Sequence, residues 1–132
     1  MASLTLHATG PAPPGEVWRR YTAPGLWSSW SPQIRAVRTD AERIRPGLRG
    51  EVVSWLGIRA AFTVESVDEA DRSWSWRVRL GPVRLRLHHE VRPGPDGGTR
   101  TVLRLTGPPP ALAAYALPAR WALHRLVRTR LP

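Results

Sequence analysis

Two spacings of apolar residues divide the chain. Residues 3–9 alternate, with Leu4, Leu6 and Ala8 on one side and Thr5 and His7 on the other, which predicts a half-buried strand. From Ile34 to about Thr106 the period is again two. Segments 33–39, 50–56 and 59–67 have strand character, and 74–80, 83–91 and 99–105 show it most clearly. Trp74, Trp76, Val78 and Leu80 share one face against Ser75, Arg77 and Arg79. Val83, Leu85, Leu87, His89 and Val91 oppose Arg84, Arg86, His88 and Glu90, while Thr101, Leu103 and Leu105 oppose Arg100 and Arg104. Gly81-Pro82 predicts a tight hairpin and residues 93–98 a longer one. One apolar face and one arginine-rich face describe an antiparallel sheet packed on one side and wet on the other.

The remaining segments read as helices. Pro13 and Pro14 are suited to open one, where a missing N–H is harmless, and Glu16 follows in its first turn. Val17, Trp18 and Tyr21 form its apolar stripe, and Arg19 and Arg20 are expected to face solvent. Pro24 restarts a second short helix carrying Leu26, Trp27 and Trp30, which Pro32 ends. Residues 111–131 carry Leu112, Tyr115, Ala116, Ala119, Leu123, Leu126 and Val127 on one stripe, with Trp121, Arg125 and Arg128 opposite. Pro118 is expected to kink or split this last helix. The order is strand, two short helices, a long antiparallel run and a terminal helix: one α+β domain over residues 1–132.

Composition narrows the function. At 132 residues the chain is too short for two comfortable domains, and 42% apolar with 23% charged residues is ordinary globular usage. No apolar run of about 18 residues is present to span a bilayer. The N-terminus lacks the basic patch and apolar stretch of a signal peptide, so a cytoplasmic location is expected. Without cysteine there is no disulfide, thiol nucleophile or zinc-thiolate site. All 20 basic residues are arginine, against 10 acidic ones, for a net charge of +10. Either a polyanion-binding surface or the codon bias of a GC-rich bacterial genome accounts for that. Seven tryptophans against one Phe and two Tyr imply a bulky core or an aromatic-walled cavity.

The opening strand followed by Ala12-Pro13-Pro14-Gly15-Glu16-Val17-Trp18, then Ala23-Pro24 and Trp27–Trp30–Pro32, resembles the START-like (SRPBCC) superfamily. Residues 46–55, the Phe62–Val67 strand, Trp74 and the late Asp96-Gly97-Gly98-Thr99 extend the likeness to its polyketide cyclase/dehydrase-type branch over nearly the whole chain. The resemblance implies a helix-grip fold, in which a curved antiparallel sheet wraps a C-terminal helix and two short helices close one end. It also implies a cavity for an apolar ligand, a lipid or a polyketide-like molecule. A minority of relatives are cyclases, dehydratases or hydrolases.

Under that reading the pocket candidates are Trp76, Val78, Leu85, Leu87, His89 and Leu103 from the sheet's apolar face, with Phe62 and Trp55 from earlier strands. Trp27 and Trp30 join from the helix pair, and Tyr115, Ala119 and Leu123 from the terminal helix. Indole walls suit flat apolar ligands, and each N–H can hold a ligand oxygen. His89 is the one inward imidazole, a candidate acid or base for a cyclase or dehydratase, or a hydrogen-bonded core residue. His88 must point the other way, so the pair cannot share a metal, and neither a metal nor another cofactor is expected. No inward carboxylate pair, nucleophile elbow or glycine-rich phosphate loop is present. Arg77, Arg79, Arg84, Arg86, Arg100 and Arg104 should crowd the outer face, a third reading as a basic module for an anionic membrane or acidic partner. The tryptophans face away from those arginines, which argues against specific nucleic-acid binding.

Overall fold

A computed structural model describes residues 2–55 and 57–128. Strand β1 (Ala2–Gly10) leads into α1 (Pro14–Thr22), a 3₁₀ turn (Pro24–Leu26) and the one-turn α2 (Trp27–Trp30). Six strands follow: β2 (Ile34–Arg38), β3 (Arg49–Ser54), β4 (Arg59–Asp68), β5 (Ser73–Leu80), β6 (Val83–Pro93) and β7 (Thr99–Gly107). The chain then enters α3 (Pro109–Leu126). All strand pairs are antiparallel in one sheet of order β1-β7-β6-β5-β4-β3-β2. The two chain-order neighbours β1 and β2 thus form opposite edges, and the helical segment between them has to cross the sheet. Register shifts between Ile34 and Ala36 and between Val64 and Ser66 add local bend and twist. The result is the helix-grip arrangement, with α3 lying in the concave face and α1 and α2 closing one end.

Local chemistry sets the corners. Gly81 turns the β5–β6 hairpin at φ 57°, a conformation that suits glycine. Gly10 ends β1 where a Cβ would collide with the backbone oxygen and side chain of Val127. That close approach lets the Ala12 N–H donate to the Val127 carbonyl at 3.0 Å, tying the start of the α1 segment to the end of α3.

Three expectations about the helices change. Arg20 does not face solvent: it is 4% exposed and its guanidinium donates to the carbonyls of Leu126 and Arg128, each at 2.6 Å. The last carbonyls of a helix lack partners within it, and a buried cation meets both that need and the negative end of the helix dipole. Pro118 neither splits nor ends α3, which runs as one helix of 18 residues. Arg125 turns back to the α2 segment and donates to the carbonyls of Ser29 (2.9 Å) and Trp30 (3.2 Å). Residues 129–131 of the expected helix lie outside the described residues.

Ile44 and Leu48, in the loop between β2 and β3, are buried although no periodicity marks them. They are held by backbone bonds, Ile44 N–H to Thr22 and Val64 N–H to Leu48, both at 2.8 Å. Among the described residues no helix is long and apolar enough to cross a membrane.

Candidate functional site

The inward faces of β5 and β6 are brought together by register. Trp74 lies opposite His89, Trp76 opposite Leu87 and Val78 opposite Leu85, and Leu103 of β7 continues the His89 row. Across the gap, α3 presents Tyr115, Ala119, Ala122 and Leu123. The alanines are too short to reach the sheet, and a cavity of about 160 Å³ remains between the two layers. Trp27, Trp30, Gln33 and Ile34 close one side, and Val52, Ile58 and Ala60 another. An apolar void of roughly 150 Å³ is enough to admit a benzene-sized molecule.

Rings fill the space beside this void. Trp74 stacks on His89 with centroids 4.4 Å apart and planes 10° from parallel. Trp27 lies 5.7 Å from Trp74 and 5.0 Å from Trp76, and Tyr21 packs 4.8 Å from His89. The tryptophans therefore build part of the core as well as the wall.

Five tryptophans are buried, and four of them use their N–H within the protein. Trp18 donates to Glu69 Oε2 (2.6 Å), Trp27 to the Tyr21 carbonyl (2.8 Å), Trp30 to the Arg20 carbonyl (3.1 Å) and Trp76 to His89 Nε2 (3.0 Å). The exception is Trp74, whose Nε1 has no protein partner. His89 Nδ1 and Gln33 Oε1 are likewise buried without one. Because His89 Nε2 accepts from Trp76, the neutral ring carries its proton on Nδ1. Burial lowers the His89 pKa to about 3, with a smaller push from His88, so the ring is neutral near pH 7. Trp74, His89 and Gln33, which carry these three unpartnered atoms, all line the cavity, whose wall is otherwise mostly apolar apart from Ser31, Ser54 and Tyr115. The Tyr21 hydroxyl, packed beside His89, is also buried without a partner. Burial also raises the hydroxyl pKa of Tyr115, partly offset by a hydrogen bond with Gln33.

Of the residues singled out from sequence, Trp27, Trp30, Trp76, Val78, Leu87, His89, Leu103, Tyr115 and Leu123 line the cavity, as do Leu85 and Ala119. Phe62 does not. It sits behind the wall, 5.6 Å from Trp27 and 5.2 Å from Trp76 by ring centroids. Trp55 is also absent from the wall: β3 ends at Ser54, so Trp55 lies in the turn, where strand alternation no longer applies, and is 68% exposed.

The lining residues not singled out from sequence are Trp74, Gln33 and Ala122, together with Ser31, Ile34, Val52, Ser54, Ile58 and Ala60. Trp74 could have been found from its alternation with Trp76, and Ala122 from its spacing of three to Ala119. Nothing in the sequence pattern marks Gln33. Among the described residues no group of three His, Asp or Glu side chains is placed to hold a metal ion.

The sequence profile of the family described as "Polyketide cyclase / dehydrase and lipid transport" matches residues 1–131. No curated protein matches the sequence significantly. Among solved structures, Ara h 8.0201 is similar at TM-score 0.76 and 14% identity, over 95% of this chain and 94% of that one. A protein from Mesorhizobium loti reaches TM-score 0.79 at 18% identity, covering 95% and 93%. One from Nitrosospira multiformis reaches 0.80 at 17%, covering 96% and 94%. At such identities the likeness establishes the fold.

Proposed function

Since the chain belongs to the polyketide cyclase/dehydrase and lipid transport family of the START-like superfamily, we propose that it binds a small hydrophobic molecule carrying an acceptor oxygen. The observation behind this reading is the pair of unused donors, Trp74 Nε1 and His89 Nδ1, in the wall of an apolar cavity. A buried donor left unsatisfied is costly, and a ligand carbonyl or phenol oxygen relieves that cost while the ring or chain behind it fills the void. The cavity volume of about 160 Å³ matches a single ring. A longer lipid or a multi-ring polyketide requires α3 to move outward from the sheet.

A matched pair of ligands tests the proposal: acetophenone and ethylbenzene have nearly the same shape, but only the first has an acceptor. Tryptophan fluorescence and melting temperature should respond to both, with acetophenone about tenfold tighter. Equal affinity for the two refutes the role of the donors, and no response to either refutes the receptor.

The alternative is a cyclase or dehydratase using His89 as acid or base. It shares the cavity but makes a heavier demand on the imidazole, whose acceptor nitrogen is occupied by Trp76 and whose cation is suppressed by burial. Unchanged turnover by His89→Ala on any responsive substrate removes that role.

A further inference from the structure

The outer face of the sheet has a second concavity, a groove of about 700 Å³ over β3 to β7, whose lining is cationic where that of the inner cavity is aromatic. Five arginines line it: Arg49, Arg77, Arg79, Arg84 and Arg86. Strand register places Arg77 directly opposite Arg86, and Arg79 directly opposite Arg84. Like charges facing each other across a strand pair repel. Glu65 relieves the first pair, lying 3.0 Å from Arg86 and 3.5 Å from Arg77. Among the described residues no carboxylate reaches Arg49, Arg79 or Arg84 within ion-pair distance. Outside the groove Arg92 pairs with Asp71 and Glu90, and Arg100 bonds His7, whereas Arg104 stands without an ion pair among the described residues as well.

We infer that this groove docks an extended acidic segment of a partner protein. The dimensions fit. Three inter-strand steps separate β3 from β6, roughly 14 Å, and an extended chain repeats its side chains on one side every ~6.8 Å. Two such repeats cover the span, so carboxylates at its ends reach Arg49 on β3 and the arginine pairs of β5 and β6, while Thr63 and Thr106, each opposite an arginine in the register, offer hydroxyls to the segment's backbone. Other polyanions fit less well. Nucleic acid needs exposed rings for stacking, and the one ring in the groove wall, Phe62, is 2% exposed. A bilayer needs apolar side chains to insert, and the most exposed ones, Trp55, Leu117 and Trp121, lie outside the groove.

The test uses the full chain and a labelled ten-residue peptide of alternating Glu and Thr, followed by fluorescence anisotropy. Binding at low salt should weaken steeply toward ~0.15 M salt. The double variant Arg79→Gln/Arg84→Gln should lose at least about tenfold in affinity. Arg100→Gln/Arg104→Gln, which removes equal charge from the same face outside the groove, should lose less than about twofold. Removing the facing pair should also raise the melting temperature, and Arg49→Gln gives a second, single-site check on affinity. Equal losses in both double variants overturn the assignment, as does absence of binding at low salt. So does tighter binding to phosphatidylglycerol vesicles or to a single-stranded oligonucleotide than to the peptide. Ligand occupancy of the inner cavity is read by tryptophan fluorescence and stands or falls separately.

Discussion

The indole N–H of Trp76 donates to Nε2 of His89 at 3.0 Å, and this single bond decides what the imidazole can do. It makes the ring an acceptor on one side and a donor, through Nδ1, on the other. With Trp74 stacked on its face, the ring is held neutral and in one orientation. His89 is therefore arranged to donate a hydrogen bond.

Stability should fall as pH drops from about 6.5. Burial lowers the folded-state pKa of His89 to about 3 from the ordinary 6.5, so between those limits the unfolded chain binds a proton that the native state refuses. The loss approaches ~1.4 kcal/mol per pH unit, or about 2 kcal/mol between pH 7 and pH 5. Urea midpoints measured across this range should follow that slope, and His89→Phe should flatten it. Parallel slopes in both proteins refute the assignment.

Filling the cavity should abolish ligand response without unfolding the protein. Ala122→Leu extends a side chain from α3 into the void opposite the sheet. Its stability is expected within ~1.5 kcal/mol of the parent, because the added methylenes enter existing space. The fluorescence response to acetophenone should disappear. A retained response places the ligand elsewhere.

Arg20→Met should destabilise by about 2–3 kcal/mol, since the buried Leu126 carbonyl at the end of α3 and the part-buried Arg128 carbonyl just beyond it lose a charged donor. Arg19→Met, one residue earlier and facing solvent beside Glu16, should leave the denaturation midpoint nearly unchanged. Similar effects at both positions contradict the capping role.

Pro118→Ala should stabilise α3. Proline withholds an N–H from the helix and crowds the carbonyl four residues before it, and alanine restores the bond. A gain of about 1–2 kcal/mol remains after the greater chain entropy of the unfolded variant. A lower melting temperature means that the ring packs in a way alanine cannot replace.

Gly50→Ala should destabilise by about 1–3 kcal/mol. A Cβ there would stand 2.5 Å from the Phe62 ring and 2.6 Å from the Arg38 carbonyl, and Phe62 supports the Trp27–Trp76 contact. A wild-type denaturation curve means that β3 shifts freely.

The strands and their inward faces were legible because a sheet buries alternate residues: Trp74, Trp76, Leu87 and His89 could be aligned from spacing alone. Helix faces were less secure, as Arg20 shows, because one turn of helix sets direction but not the neighbour that a side chain meets. Trp55 failed for a related reason: alternation is informative only up to the residue where the strand stops. Ile44 and Leu48 had no pattern to announce them, being buried by a loop whose backbone is held by Thr22 of α1 at one end and by Val64 of β4 at the other.

Order of elements, fold class and the apolar–basic division of the sheet follow from local periodicity, which acts between near neighbours in the chain. The cavity, the tautomer of His89, the unused N–H of Trp74 and the burial of Arg20 required the assembled molecule. Each depends on groups far apart in sequence, such as Arg20 and Leu126, whose meeting is set by packing and by the need to satisfy buried polar atoms.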